Sequence, residues 1–281
     1  MKSNLIDSGD GAAPIVETTG FGTDLPHRLM GIWPHPDDEA YLSAGLMARM
    51  TDAGRRVSVL TLTRGEKGTS DPADFDQPHF AERRERELRA SLAELGVDDV
   101  TVFDYRDGEC DLADDETAIT LITDQIAAAR PDVVITFGPD GITGHSDHRI
   151  VSAWVTEAWR RVGHGDLLYA TMSDDFVARN AELHERIGLF TDRAGDGPAS
   201  YQADQIALTC DLSDDELDRK RRALGQHASQ TRALAELMGE DTYRTWWRTE
   251  WFRRPTPREA ATCVRCAPAA DRNRQTAAVR A

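Results

Sequence analysis

The sequence predicts an α/β fold, a three-layer sandwich on a mostly parallel central sheet. Short apolar, β-branched segments alternate with amphipathic segments of helical length. Strands separated by helices of that length are joined by crossovers and therefore run parallel. The strand segments are also apolar along nearly their whole length, as in "DVVITF", the pattern of strands covered on both faces.

"HRLMGIW" reads as the first strand and "DEAYLSAGLMARMTDAG" as the following helix, closed by Gly54 because glycine accepts the left-handed turn that ends helices. "RVSVLTLT" is the second strand and "RGEKGTSDPADFDQPH" its loop. In the next helix, "FAERRERELRASLAELG", Leu88, Leu92 and Leu95 share one face and Gly96 is the stop. A third strand, "VTVFDY", leads to the acidic-started helix "DDETAITLITDQIAAARP" with Pro131 as its stop. The fourth strand, "DVVITF", is followed by the loop "GPDGITGHSDHR", the helix "IVSAWVTEAWRRVG" and a fifth strand, "DLLYATM". Beyond Asp174 the alternation weakens. "YQADQIALTCDL" reads as a further strand, "SDDELDRKRRALGQHASQTRALAELM" as one capped helix, and the aromatic, basic "TYRTWWRTEWFRR" as a segment packed on the core. The expected organisation is one Rossmann-like domain over residues 28–254, with a flexible N-terminal tail, 1–27, and a loose C-terminal tail, 255–281.

A net charge of −16 argues against nucleic acid as a partner, since such binding draws on Lys and Arg. No apolar run has the length of a membrane span. The first residues lack the charged and apolar regions of a secretory signal. A cytoplasmic protein is expected. The four cysteines, Cys110, Cys210, Cys263 and Cys266, are too few for a disulfide framework in a chain of 281 residues. Cys263 and Cys266 have metal-site spacing, but without a second pair they read as tail thiols.

Two clusters carry chemistry. In an open α/β sheet, ligands bind beyond the carboxyl ends of the strands. "PHPDDE" follows the first strand and "GHSDHR" follows the fourth, so both fall at that edge. Pro36 keeps His35 extended and out of the following helix. Asp37 and Asp38 stand at the helix start, where an ordinary acidic N-cap would also stand. His145 and His148 flank Ser146 and Asp147 in a glycine-opened turn. His35, Asp38 and His148 together supply two imidazoles and a carboxylate, a donor set for a catalytic Zn2+ that also suits Fe2+. A nucleotide-binding module would need a glycine-rich phosphate turn where His-Pro-Asp-Asp stands.

"PHPDDEA" with "GITGHSDHR" resembles the LmbE/PIG-L family of zinc-dependent N-acetylglucosaminyl deacetylases, which includes the deacetylase and conjugate amidase of mycothiol metabolism. "LTLTRGEKG", "RERELRASLAELGV" and "QHASQ" add to the likeness, which covers Leu29 to Ser229. The resemblance implies metal ligands His35, Asp38 and His148 and a general base, Asp37. It implies His145 as electrostatic stabiliser or general acid, with Asp147 orienting it and raising its pKa. The expected reaction removes the N-acetyl group from an amino-sugar substrate and releases acetate; the alternative is an amidase acting on a mycothiol-like thiol conjugate. The expected partner is a small N-acetyl amino sugar or glycoside; a homo-oligomer is left open. Thr143 stands where mycothiol-type members carry tyrosine, so a carbonyl-polarising tyrosine is not assumed. Arg64 and Asp107, in loops at the same edge, are the preferred substrate contacts. His227, in "QHASQ", is either a rim contact or a packing residue.

Overall fold

The computed structural model describes residues 25–261, apart from 70–72, 74, 76, 189 and 191–197. Cys263 and Cys266 therefore lie outside the described residues, as does nearly all of the expected N-terminal tail. The sheet contains β1 (Arg28–Trp33), β2 (Arg56–Thr63), β3 (Asp99–Tyr105), β4 (Val133–Phe137), β5 (Asp166–Thr171), β6 (Leu208–Asp211) and β7 (Thr249–Arg253), in the order β3-β2-β1-β4-β5-β7-β6. β1 to β5 pair in parallel, while β7 runs antiparallel to both β5 and β6. The strand order reverses between β1 and β4, the strands that precede the two clusters. This topological switch opens a crevice at their carboxyl ends.

Alternation along the strands divides the interior into two layers. Leu29 and Trp33 of β1 pack on one side, with α1 (Asp38–Asp52), α2 (Pro78–Glu94) and α7 (Asp214–Gln226). Met30 and Ile32 pack on the other, with α3 (Asp115–Ala129) and α4 (Ser146–Val162). Full burial of Leu29, Met30 or Ile32 stabilises the fold by about 1.5–3 kcal/mol each relative to exposure. Cys110 and Cys210 are buried thiols within these layers, without a disulfide.

The C-terminal third departs from the expected elements. Two short helices, α5 (Asp174–Arg179) and α6 (Ala181–Ile187), follow β5. The single expected helix is two, α7 and α8 (Ala228–Met238), because His227 at their junction leaves helical geometry with ψ 45. The aromatic, basic segment is a short helix, α9 (Glu240–Trp246), and then β7. Tyr243, Trp246, Trp247 and Phe252 are buried in the α1–α2–α7 layer. The expected tail begins with α10 (Pro257–Ala261), where Glu259 accepts 2.8 Å hydrogen bonds from the Arg253 guanidinium.

Candidate metal and catalytic site

The turn after β1 is pinned to the next strand. Pro34 presents its carbonyl to the Thr63 amide and hydroxyl, each at 2.9 Å. The His35 amide donates to Asp38 Oδ2 at 2.9 Å, which orients that carboxylate. Asp37 has φ 116 and ψ −30, a conformation costing a non-glycine residue on the order of 1–3 kcal/mol. It precedes α1 but makes no side-chain cap hydrogen bond, so an acidic N-cap does not explain it. Its carboxylate lies 3.2 Å from the Arg84 guanidinium and lines the crevice. Burial, opposed by Arg84 and reinforced by Asp38, pushes its pKa up to about 7.

α4 begins at Ser146, earlier than the sequence suggested, so His148 projects from its first turn. Gly141 has φ +68, and a Cβ there would sit 2.9 Å from the Cβ of His148; only glycine lets the turn fold so closely against that side chain. The Gly141 carbonyl is 2.9 Å from His148 Nδ1. A carbonyl can only accept, so Nδ1 carries the proton and Nε2 keeps its lone pair, the usual way an outer partner fixes a metal-binding imidazole. Phe137 stacks on the ring with centroids 4.0 Å apart. Burial lowers the His148 pKa to about 4, which keeps the ring neutral.

The two turns meet. Asp38 lies between the imidazoles, with Oδ2 3.5 Å from His35 Nδ1 and Oδ1 3.6 Å from His148 Nε2. The His35 and His148 ring centroids are 5.2 Å apart. Tetrahedral bonds of about 2.0–2.1 Å separate ligand atoms by about 3.3 Å, close to each of these two contacts, which are made through different Asp38 oxygens. Two overlapping groups offer ligand atoms that all lie within 4.8 Å of one another: His35, His145 and His148, and His35, Asp107 and Asp147; neither includes Asp38. Burial alone would lower the His35 pKa, but hydrogen bonds to Asp107, Asp147 and Asp38 outweigh it and raise the value well above the ordinary one. All of these residues except Asp147 line a cavity of about 610 Å³.

The structure corrects two expectations, both concerning Asp147 and His145. The Asp147 carboxylate does not orient His145. It is fully buried, accepts from the Gly108 amide at 2.7 Å and the Cys110 amide at 3.3 Å, and faces His35 Nε2 at 3.3 Å. Only the Asp147 backbone touches His145, donating to its Nδ1 at 3.1 Å. The His145 pKa is accordingly lowered, not raised, because burial and the nearby His35 charge prevail over Asp147. Arg64, expected as a substrate contact, pairs with Glu85 at 3.4 Å and Asp104 at 3.1 Å. Asp107 does line the cavity, but it also lies 3.1 Å from His35 Nε2 and accepts from the Lys67 amide at 3.0 Å. Thr143 sits at the cavity wall, its hydroxyl 3.4 Å from His148 Nδ1.

Sequence reasoning missed a supporting layer. Arg84 is 3% exposed; it donates to the carbonyls of Gly65, at 2.9 Å, and Pro36 while facing Asp37. The signal was available, since Arg84 stands four residues before Leu88 on the buried stripe of α2. Gly65, at φ +64, leaves no room for a Cβ, which would fall 2.0 Å from the guanidinium. Glu39 accepts from the Asp37 amide at 2.9 Å and meets His227 Nε2 at 2.8 Å, both side chains fully buried. His227 is therefore an interior partner of α1 and not a rim contact.

A family model described as PIG-L, GlcNAc-PI de-N-acetylase, matches residues 30–159. The 1D-myo-inositol 2-acetamido-2-deoxy-alpha-D-glucopyranoside deacetylase of Mycobacterium sp. (strain KMS) is 30% identical over 247 residues, 76% of this chain and 77% of that protein. The protein of the same name from Kineococcus radiotolerans is 32% identical over 171 residues, 50% of this chain. That match spans about half, 47%, of the Kineococcus protein's length. Among solved structures, N,N'-diacetylchitobiose deacetylase from Pyrococcus horikoshii has a TM-score of 0.54 at 21% identity, covering 81% of this chain and 83% of its own. A 4-carboxy-2-hydroxymuconate hydratase from Pseudomonas putida KT2440 scores 0.54 at 16% identity, covering 82% of this chain and 97% of its own. The fold alone thus accommodates different chemistries, whereas the sequence likeness runs through both motif-bearing turns and across three quarters of a deacetylase relative. The chain belongs to the PIG-L family.

Proposed function

We propose that the protein is a metal-dependent amide hydrolase that removes the N-acetyl group from an N-acetylglucosaminyl substrate and releases acetate. The observation that carries this reading is the placement of Asp38 between His35 and His148, with the uncapped, Arg84-paired Asp37 beside them in one cavity. His35, Asp38 and His148 would hold a divalent cation, Zn2+ by preference, though Fe2+ accepts the same donors. Such a cation supplies Lewis acidity toward the carbonyl oxygen and lowers the pKa of water.

The chain's own residues account for the proton movements. Asp37, with a pKa near neutrality, takes the proton from the attacking water and can return it to the departing nitrogen. The water oxygen bonds to the acyl carbon, the C–N bond breaks, and the products are acetate and a free amine. His145 Nδ1 already accepts a backbone N–H, so the neutral ring carries its proton on Nε2. That proton serves as a hydrogen-bond donor to the developing oxyanion, a role whose loss typically lowers the rate about 10²–10³-fold. This replaces the raised-pKa His145 that the family resemblance implied with a neutral donor.

Metal analysis together with acetate release from a panel of N-acetylglucosaminides tests the reading. The expected result is about one equivalent of bound metal and metal-dependent acetate release. Asp37→Asn should keep the metal and lose about 10²–10⁴ in kcat. No acetate from any member of the panel, with metal bound, would overturn the deacetylase reading.

A further inference from the structure

The cavity has two chemically different arms, and the sheet order separates them. The candidate ligands follow β1 and β4, at the centre of the sheet. On the β2–β3 side the wall is polar, formed by Lys67, Gly68, Asp107 and Gly108. On the β5–β7 side it is apolar, formed by Met172, Leu234, Leu237 and Trp247, with the Tyr41 ring tilted against Trp247 at a centroid distance of 4.5 Å. One face of α8 runs between the arms. Gln230 donates to the Gly68 carbonyl at 2.8 Å, and Ala233, Leu234 and Leu237 follow at i+3, i+4 and i+7 along the same wall. Leu237 is 53% exposed, so the apolar arm continues to the mouth.

An acetyl group is one methyl beyond the carbonyl and cannot cover such a wall. Resting on the deacetylase reading, we infer that the enzyme prefers N-acyl groups longer than acetyl, with the sugar in the polar arm and the acyl chain in the apolar one. The amide carbonyl then lies over the central residues, where the two arms meet. The chemistry is unchanged: water adds its oxygen to the acyl carbon, the C–N bond breaks, and a fatty carboxylate and a protonated amino sugar leave. Each added methylene buried in the arm raises kcat/KM about fourfold.

The test uses the full metal-loaded chain and methyl glucosides carrying N-acetyl through N-octanoyl groups, with release of free amine as the readout. The expected result is a rise of about fourfold per methylene over the first several steps. Leu237→Asn and Leu234→Asn should each lower the ratio of octanoyl to acetyl turnover tenfold or more. Because Leu237 lies at the surface, its variant keeps the test valid if Leu234→Asn fails to fold. Cleavage of the acetyl compound with activity falling at every added carbon overturns this inference and leaves the deacetylase reading standing. In a second series, N-acetylglucosaminides with methyl through octyl aglycones, a gain that follows the aglycone length overturns the acyl assignment in favour of an apolar aglycone. Cleavage of none of the compounds defeats the deacetylase reading itself.

Discussion

Lys220 and Glu250 meet at 2.8 Å between α7 and β7, each side chain about 1% exposed. The Glu250 oxygens also accept from the amides of Gly45 and Leu46, at 2.7 and 2.9 Å, inside α1. One positive charge faces one negative charge, and both carboxylate oxygens are occupied. The cluster around His35 differs. A single imidazole faces Asp38, Asp107 and Asp147 within 3.5 Å, and the neighbouring His148 is held neutral. Burying charge is costly unless it is paired, so the first arrangement is complete as a structural tie. The second has a surplus of carboxylate that a divalent cation would balance.

The widest separation between the two regions should appear when one member of each is removed. His148→Ala should abolish metal binding and turnover while the protein stays folded, since its ring is neutral and its one firm hydrogen bond is to the Gly141 carbonyl. Lys220→Ala should do the reverse. It strands Glu250 as a buried unpaired charge, a change that typically costs about 3–5 kcal/mol, with metal content per folded molecule retained. Thermal unfolding and metal analysis on both variants decide the matter. Loss of metal in the Lys220 variant, or global unfolding in the His148 variant, would erase the distinction.

A smaller effect sharpens the same contrast. Asp147 receives two backbone amides and aims at His35 Nε2, the nitrogen opposite the one facing Asp38. If His35 holds the proposed cation, that geometry makes Asp147 an outer carboxylate orienting the imidazole, and removing such a partner typically costs about 10–100-fold in metal affinity or activity. Asp147→Asn keeps the shape and removes the charge. A metal titration should show the weakening; unchanged affinity would mean that Asp147 serves only the Gly108–Cys110 turn.

The parallel half of the sheet was legible because each strand and helix there has its own period and stop, and β1 to β5 follow one crossover rule. The C-terminal third was not. Whether "TYRTWWRTEWFRR" becomes helix and then antiparallel strand is decided by where Trp246, Trp247 and Phe252 find burial, a tertiary effect without local signature. The same division runs through the site. That His35, Asp38 and His148 share one sheet edge was readable because both motifs stand next to predicted strand ends. The direction of the Asp147 carboxylate is invisible, because it depends on amides of a turn 37 and 39 residues earlier in the chain. Arg84 lies between these cases: its place on an apolar stripe was readable, its target was not.

The His227–Glu39 pair lies where the structural and functional regions touch, since Glu39 also accepts from the Asp37 amide. Burial lowers the His227 pKa and the Glu39 charge raises it, with the charge prevailing, so the folded value lies above the ordinary 6.5. The folded state thus binds this proton more tightly than the unfolded chain does. Its contribution to stability is complete below 6.5 and is lost as pH rises through the raised folded value. A charged hydrogen bond of this kind is worth about 1.5–3 kcal/mol. In His227→Gln the amide can still donate to Glu39 but does not titrate. The stability difference between the parent protein and this variant should therefore be largest near pH 6 and shrink toward pH 9, as followed by denaturant unfolding. A difference that stays constant with pH would mean the pair is held as a neutral hydrogen bond, making it a packing contact of α1 with no share in the charge balance around Asp37.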